Sequence, residues 1–290
     1  MTAKAISAKD VAELRARTGA GMMDCKAALQ EADGDMEKAG EILRKKGIAK
    51  AEKRSDRSAS QGLVVIETSA DGHDAAMIEL NCETDFVAKN ADFIALAKDL
   101  AKHALAQAPQ GAHPGTAIEG QPFRGTTVGE AVKEVSGKTG EAMALKRVAR
   151  FHLPEGTVGH YLHHNGQSGA LVEIAGPRGE GVTALARDLA LHVTSANPIG
   201  VSEADIPADV IARERRIAEE QVAQEGKPEN IRGKIVDGKI RKFVAEQTLL
   251  GQPFVKDDSK AVGDLVKEAA KTAGGALTVN RLVRFKVGEG

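Results

Sequence analysis

The chain is 290 residues long, 42% hydrophobic and 28% charged, enough for two or three domains and a sizeable core. Forty Lys and Arg against 41 Asp and Glu leave a net charge of -1, without the basic excess of a nucleic-acid-binding domain. No apolar run approaches the roughly 18 residues needed to span a bilayer. Cys25 and Cys82 lie far apart in no paired motif and are expected to stay reduced in a cytosol.

The amino terminus, MTAKAISAKDVAEL, has no apolar signal core and holds early acids, so neither a secretory nor a transit peptide is indicated. Residues Ser7 to Gly47 then read as three short helices. Ser7 can cap the first, with Asp10 three residues on, and Gly19 stops it. The second runs from about Met22 to Ala32, and Asp35 caps a third that is expected to end at Gly47. Together they predict a three-helix module over 1–50, of the kind that docks a partner. Adjacent helical residues point about 100° apart, so Met22 and Met23 cannot both face one small core. One of them is expected to be exposed, where a flexible thioether suits a partner groove, although two core methionines at a helix start is the competing reading. Gly19-Ala20-Gly21 lacks a preceding strand, and Asp24 stands where a dinucleotide fingerprint wants glycine. No nucleotide site emerges.

From Arg44 to Ser60 the chain reads RKKGIAKAEKRSDRSAS, seven basic residues against two acids. This predicts a solvated linker, placed at 51–61. The alternative is a ribosome- or RNA-associated module using Lys45, Lys46, Lys53 and Arg54.

Past the linker a predicted strand pair, Leu63–Ile66 and Ala76–Leu80, flanks an Asp71-Gly72 turn signal. The polar stretch Asn81 to Asn90, NCETDFVAKN, follows and carries Thr84, Asp85, Phe86 and Val87. A phenylalanine in such a connection either tucks into its own core or is aimed at something else.

An internal repeat helps decide between these. Phe93 to Pro109 aligns without gaps to Val182 to Pro198, with His103 opposite His192. Gly120-Gln-Pro-Phe123 recurs as Gly251-Gln-Pro-Phe254, and Val128 to Gly156 matches Val262 to Gly290. The fold class expected is α+β, with the helical module followed by two duplicated subdomains with antiparallel sheets, 62–156 and 157–290. Ten residues separate Pro109 from Gly120 but 52 separate Pro198 from Gly251, so 199–250 holds an inserted helical hairpin. Val210 and Ile217 are assigned to the apolar stripe of its first helix, and Ile231, Ile235 and Phe243 to the second. Thirteen residues separate Glu79 from Phe93, against eight between Glu173 and Val182. The longer loop carries Phe86, which has no repeat partner, whereas Phe123/254 and Phe151/285 are partners and expected in the core.

Catalytic chemistry finds little support. His160, His163 and His164 offer two residues on one face of a strand and no third ligand at a known spacing, a poor metal site. No serine sits in a nucleophile elbow, and neither cysteine has a motif-level base. No enzyme, cofactor or metal is expected.

Three motifs carry a family resemblance. LRARTGAGMMDCKAAL (Leu14 to Leu29), NCETDFVAKN, and LLGQPFV (Leu249 to Val255) resemble bacterial translation elongation factor Ts, and the likeness runs from about Ala8 to Gly290. The resemblance implies a guanine-nucleotide exchange factor for elongation factor Tu, cytosolic, binding neither membrane nor nucleic acid directly. It implies that Asp85 and Phe86 enter the partner's GTPase domain near its magnesium site, with Thr84 and Val87 in the same motif. Arg15, Met22 and Met23 match positions that pack on that domain, and His163 and, more loosely, Met143 match further contacts. The family varies in the 199–250 region and in dimerisation, so a homodimer stays open. Many members continue past the final segment into a further module that touches the partner, a contact expected here to be either dispensable or replaced.

Overall fold

A computed structural model describes residues 6–54, 56–226 and 228–289, in a mixed α+β architecture. Three helices come first: α1 (Ala8–Thr18), α2 (Met22–Glu31) and α3 (Met36–Glu52). There follow β1 (Gln61–Thr68), β2 (Asp74–Cys82), α4 (Asp85–Ala88), α5 (Ala91–Gln107) and β3 (Gly111–Pro114). The short pair β4 (Pro122–Phe123) and β5 (Thr126–Thr127) leads into α6 (Val128–Thr139) and β6 (Met143–His152). Next are β7 (Gly156–Leu162), β8 (Ser168–Ala175), α7 (Glu180–Ala196), α8 (Ala208–Gln224) and α9 (Glu229–Gln247). The chain closes with β9 (Pro253–Phe254), β10 (Asp257–Ala261), α10 (Val262–Ala273) and β11 (Thr278–Lys286). One sheet has the order β1-β2-β6-β3 and another the order β11-β8-β7, with β7 and β8 antiparallel. Contacts group the chain into two compact units. The first takes residues up to Val65, Ile78–Ala149 and the end from Lys286; the second takes Ile66–Met77 and Arg150–Phe285.

In the first unit, the capping box at Ser7 forms as expected. The Ser7 hydroxyl oxygen accepts from the Asp10 N–H at 3.1 Å, and the Asp10 carboxylate accepts from the Ser7 N–H at 3.1 Å. Val11, Leu14, Cys25, Ala28, Leu29, Ala39 and Leu43 form the small core of α1–α3. Gly47 does not stop α3, which continues to Glu52. Glycine inside a helix costs about 1 kcal/mol relative to alanine, but here its bare backbone lies against α6. A Cβ placed on Gly137 would sit 2.8 Å from Gly47 Cα. Ion pairs flank the crossing, Arg44–Glu134 at 3.4 Å and Lys133–Glu52 at 2.8 Å. Close helix packing and the pairs hold the last turns that propensity alone would give up.

The duplication is visible residue by residue. Helix α5 buries Phe93, Leu96, Ala97, Leu100, Ala101 and Ala104, and α7 buries Val182, Ala186, Leu189, Ala190 and Val193. These are the i, i+3, i+4, i+7 spacings of one helix face. His103 Nε2 lies 2.8 Å from Gln121 Oε1, and His192 Nε2 lies 2.9 Å from Gln252 Oε1. Each histidine also packs on the phenylalanine of its Gln-Pro-Phe segment, His103 edge-on to Phe123 and His192 stacked on Phe254. A deeper repeat involves charge. Glu79 on β2 is fully buried and accepts from Arg147 Nε at 2.6 Å, with a second Arg147 nitrogen on the same oxygen. Glu173 on β8 accepts from Arg281 Nε at 2.9 Å and from Asn280 at 3.0 Å. Buried carboxylates survive only when paired and hydrogen-bonded in this way.

The inserted arm is a pair of unbroken helices, α8 and α9, the second running through Gly233 and Gly238. Its buried stripe is Ala218 and Val222 against Val236 and Ile240, with Ile211, Ile235 and Val244 packed alongside. Ile217 and Ile231, expected in the stripe, are exposed. One residue of error in phase turns a helix by about 100°, enough to move the stripe off the contact face. Among the described residues no helix is long and apolar enough to cross a membrane.

Two measurements follow. Gly137→Ala is expected to force α3 and α6 apart and lower the melting temperature by several degrees, since a cost of about 1 kcal/mol already shifts it 2–4 °C in a chain of this size. Gly47→Ala, whose Cβ meets Gly137 Cα at 3.8 Å, is expected to leave it unchanged or raise it. Equal losses in the two variants would contradict the packing described. Burial lowers the pKa of His192, whose Nδ1 accepts from the Val255 N–H at 3.1 Å. The unfolded chain takes up a proton near pH 6.5 that the folded site refuses, so His192 contributes stability above that pH and the contribution falls as the pH drops below it. Melting curves at pH 7.5 and 5.5 should show a smaller acid loss for His192→Gln than for the unaltered protein.

Candidate partner-binding site

The loop after β2 is held from both sides. Thr84 caps α4, its hydroxyl oxygen accepting from the Val87 N–H at 3.4 Å. The same hydroxyl donates to Glu141 Oε1 at 2.6 Å, and the Thr84 N–H donates to Glu141 Oε2 at 3.0 Å. In return, the Ala142 N–H donates to Glu83 Oε1 at 2.7 Å. That bond, followed by the Arg57 contact, holds the Glu83 carboxyl below its ordinary range. At the base, the Cys82 thiol donates to the Thr84 carbonyl at 3.2 Å, and burial, reinforced by the Glu141 carboxylate, pushes its pKa to about 12. Asn81 is buried and donates from Nδ2 to the Ala59 carbonyl at 3.1 Å.

On this frame the single turn of α4 points two residues outward. Phe86 is 81% exposed, the most exposed large apolar side chain among the described residues. The other phenylalanines compared through the repeat, Phe123, Phe151, Phe254 and Phe285, are all buried. Asp85 pairs with Lys89 one turn on at 2.7 Å, and that hydrogen bond keeps its carboxyl below the usual carboxylate range. The loop therefore offers an aromatic ring beside an exposed Asp85–Lys89 ion pair. Val87 is half-buried, and Ala88 closes the turn against the body.

The remaining residues of interest fall at separate places. Met143 begins β6, next to Ala142 and two residues from Glu141, and is half-buried. Arg15 is exposed on α1. Met22 and Met23 open α2 and are 49% and 75% exposed, so both methionines, not one, are exposed. Met23 points away from the face formed by Cys25, Ala28 and Leu29, whereas Met22 lies on that face at the first position of the helix, where it is only half covered. All of these lie in the first unit. His163 lies in the second unit, in the turn after β7, where its Nδ1 is 3.3 Å from the Tyr161 hydroxyl and its ring packs on His164 at 4.3 Å. The strand ends at Leu162, so His163 and His164 do not share the alternation expected of a longer strand. Among the described residues no group of three or more His, Cys, Asp or Glu could hold a metal ion.

Glu83, Glu141 and Ala142, which brace the loop, carried no signal in the sequence: the contacts join residues almost sixty positions apart. The one hint was Gly140, the left-handed residue (φ 80°) that ends α6 and turns the chain toward Glu141. Glu141→Ala removes two hydrogen bonds to an ionised acceptor, a loss of about 1.5–3 kcal/mol each. Amide hydrogen exchange at Thr84–Lys89 should then accelerate while α5 and β6 stay protected; unchanged protection of the loop would refute the brace.

Comparison with known proteins places the chain. The family model described as Elongation factor TS matches residues 83–289. A protein named elongation factor Ts from Alkalilimnicola ehrlichii is 46% identical over 286 residues, covering 99% of this chain and 93% of that protein. Another from Nitratiruptor sp. is 46% identical over 291 residues, covering 99% and 94%. A third from Prosthecochloris aestuarii is 42% identical over 284 residues, covering 98% and 99%. With these matches running through the braced loop and both halves of the duplicated core, the chain belongs to the elongation factor Ts family.

Proposed function

We propose that the chain is a guanine-nucleotide exchange factor of translation elongation, acting in the cytoplasm on elongation factor Tu in its GDP-bound form. It performs no covalent chemistry of its own. The single observation that carries this reading is the outward Phe86 on a loop braced where it leaves β2, in a member of this family. Exposing a phenylalanine to water forgoes about 1.5–3 kcal/mol of burial, and a backbone braced in advance loses little entropy when a partner covers the ring.

Asp85 and Phe86 are the residues proposed to enter the GTPase domain near its magnesium and phosphate contacts. The metal bridges phosphate oxygens and offsets their charge, so disturbing its surroundings weakens GDP binding. Factor and nucleotide then each lower the other's affinity for the partner, as linkage requires. The three-helix module over 1–50 serves as the docking piece, with Arg15 and the exposed Met22 and Met23 as its contact residues. Thioethers on flexible stems adapt to an apolar groove. Thr84 and Val87 shape the loop, while Met143 and His163 are proposed as further contacts.

The test is release of fluorescent GDP from elongation factor Tu, followed with catalytic amounts of this protein. Phe86→Ala is expected to slow release about thirtyfold, the equivalent of an interface hot spot of about 2 kcal/mol. Its circular dichroism and melting temperature should not change, because the ring contributes nothing to the core. Release as fast as with the unaltered protein would remove Phe86 from the mechanism. No acceleration by the unaltered protein would remove the exchange function itself.

A further inference from the structure

The basic run that follows residue 43 is largely exposed, yet part of it also borders a cavity. Its first part is the end of α3, and four of its cations, Arg44, Lys46, Lys50 and Arg54, line one cavity of about 350 Å³ within the first unit. Arg17 of α1 and Lys138 of α6 line it too, against only two carboxylates, Asp24 and Glu134. The volume lies within the range of small-ligand sites.

The pairing of these charges is uneven. Lys50 meets Asp24 at 3.0 Å, and Arg44 and Lys138 share Glu134 at 3.4 and 3.2 Å. Arg17 and Lys46 reach outward to Glu37 and Glu31, each at 2.5 Å. Arg54 differs: its Nη1 is buried and has no hydrogen-bond partner. A guanidinium nitrogen withdrawn from water without an acceptor is costly, and an anion is the group that would relieve it. The start of α2 borders the same cavity at Gly21 and has no side-chain cap; Asp24 in its first turn, paired with Lys50, is the one carboxylate there.

We propose that this cavity binds a small phosphorylated anion of diphosphate size. Arg54 supplies the forked donor, Lys50 and Lys138 supply charge, and the uncapped N–H groups of α2 supply backbone donors. The ion pairs Lys50–Asp24 and Lys138–Glu134 are half-exposed, so their cations can turn to a phosphate at little cost. The site adjoins the proposed docking surface, since Met22 and Met23 open α2, and Arg54 also acts electrostatically on Glu83 of the loop's brace.

Calorimetric titration of the full chain with inorganic pyrophosphate at low salt tests it. Saturable binding is expected, weakening as sodium chloride is added. Arg54→Gln should raise Kd about tenfold, and Arg54→Lys, which keeps the charge but loses the fork, by a smaller factor. Lys242→Gln on α9, outside the cavity, should leave Kd unchanged. A parallel titration with single-stranded RNA of about 20 nucleotides separates the pocket from an extended basic surface. Absence of saturable pyrophosphate binding, equal binding by a folded Arg54→Gln variant, or binding of RNA alone would each overturn the proposal.

Discussion

Each half of the duplicated core is built around a carboxylate withdrawn from water. Glu79 and Glu173 sit at matching places on β2 and β8, and each is answered by an arginine of the neighbouring strand, Arg147 or Arg281. A buried pair adds little net stability over apolar packing, but removing one partner costs about 3–5 kcal/mol. The pair therefore acts chiefly on register, because a slip of one residue would strand both charges. In the first half the consequence reaches the loop. Thr84 lies five residues beyond Glu79 and Glu141 six residues before Arg147, so locking the pair brings Thr84 and Glu141 to bonding distance. The same pair gathers the end of the chain, since the Lys286 carbonyl accepts from Arg147 and the Gly288 N–H donates to Glu79.

Duplication supplied two copies of one frame, and the copies have diverged where the frame allows. The histidine–glutamine–phenylalanine clusters and the left-handed glycines ending α6 and α10 are kept. The first copy extends the connection after its central strand and fills it with α4. The second keeps that connection short and opens the later one to admit α8 and α9. Insertions at surface connections disturb the buried charge pair of neither copy, which is why such additions are tolerated.

Much of this was legible before any coordinates. Helices α5 and α7 announce themselves by apolar spacing, and the repeat alone separates Phe86 from the core phenylalanines. Two kinds of error are physical. Gly47 reads as a stop by propensity, yet the approach of Gly137 overrides it, a tertiary effect invisible to local rules. In the arm, Ile211, Ala218 and Val222 form the true stripe of α8, but Val210 and Ile217 are as hydrophobic and one step out of phase. The brace at Glu141 and the charge pairs join residues far apart in the chain. Glu79 and Glu173 stand at equivalent repeat positions, but nothing local says that either is buried. That one of Met22 and Met23 faces outward followed from helix geometry; that Met22 is half exposed as well, on the face of Cys25 and Leu29, reflects its place at the first position of α2.

The thiol at the root of the loop has a chemical consequence. Oxidants and electrophiles attack the thiolate of cysteine, and an ordinary thiol keeps a few per cent in that form at neutral pH. With its pKa pushed to about 12, Cys82 keeps roughly one part in 10⁵. Sulfenic acid formation would also thrust an oxygen into a fully buried site and break the bond to the Thr84 carbonyl. Burial thus keeps the thiol at the root of the exposed aromatic ring in its protonated, less reactive form.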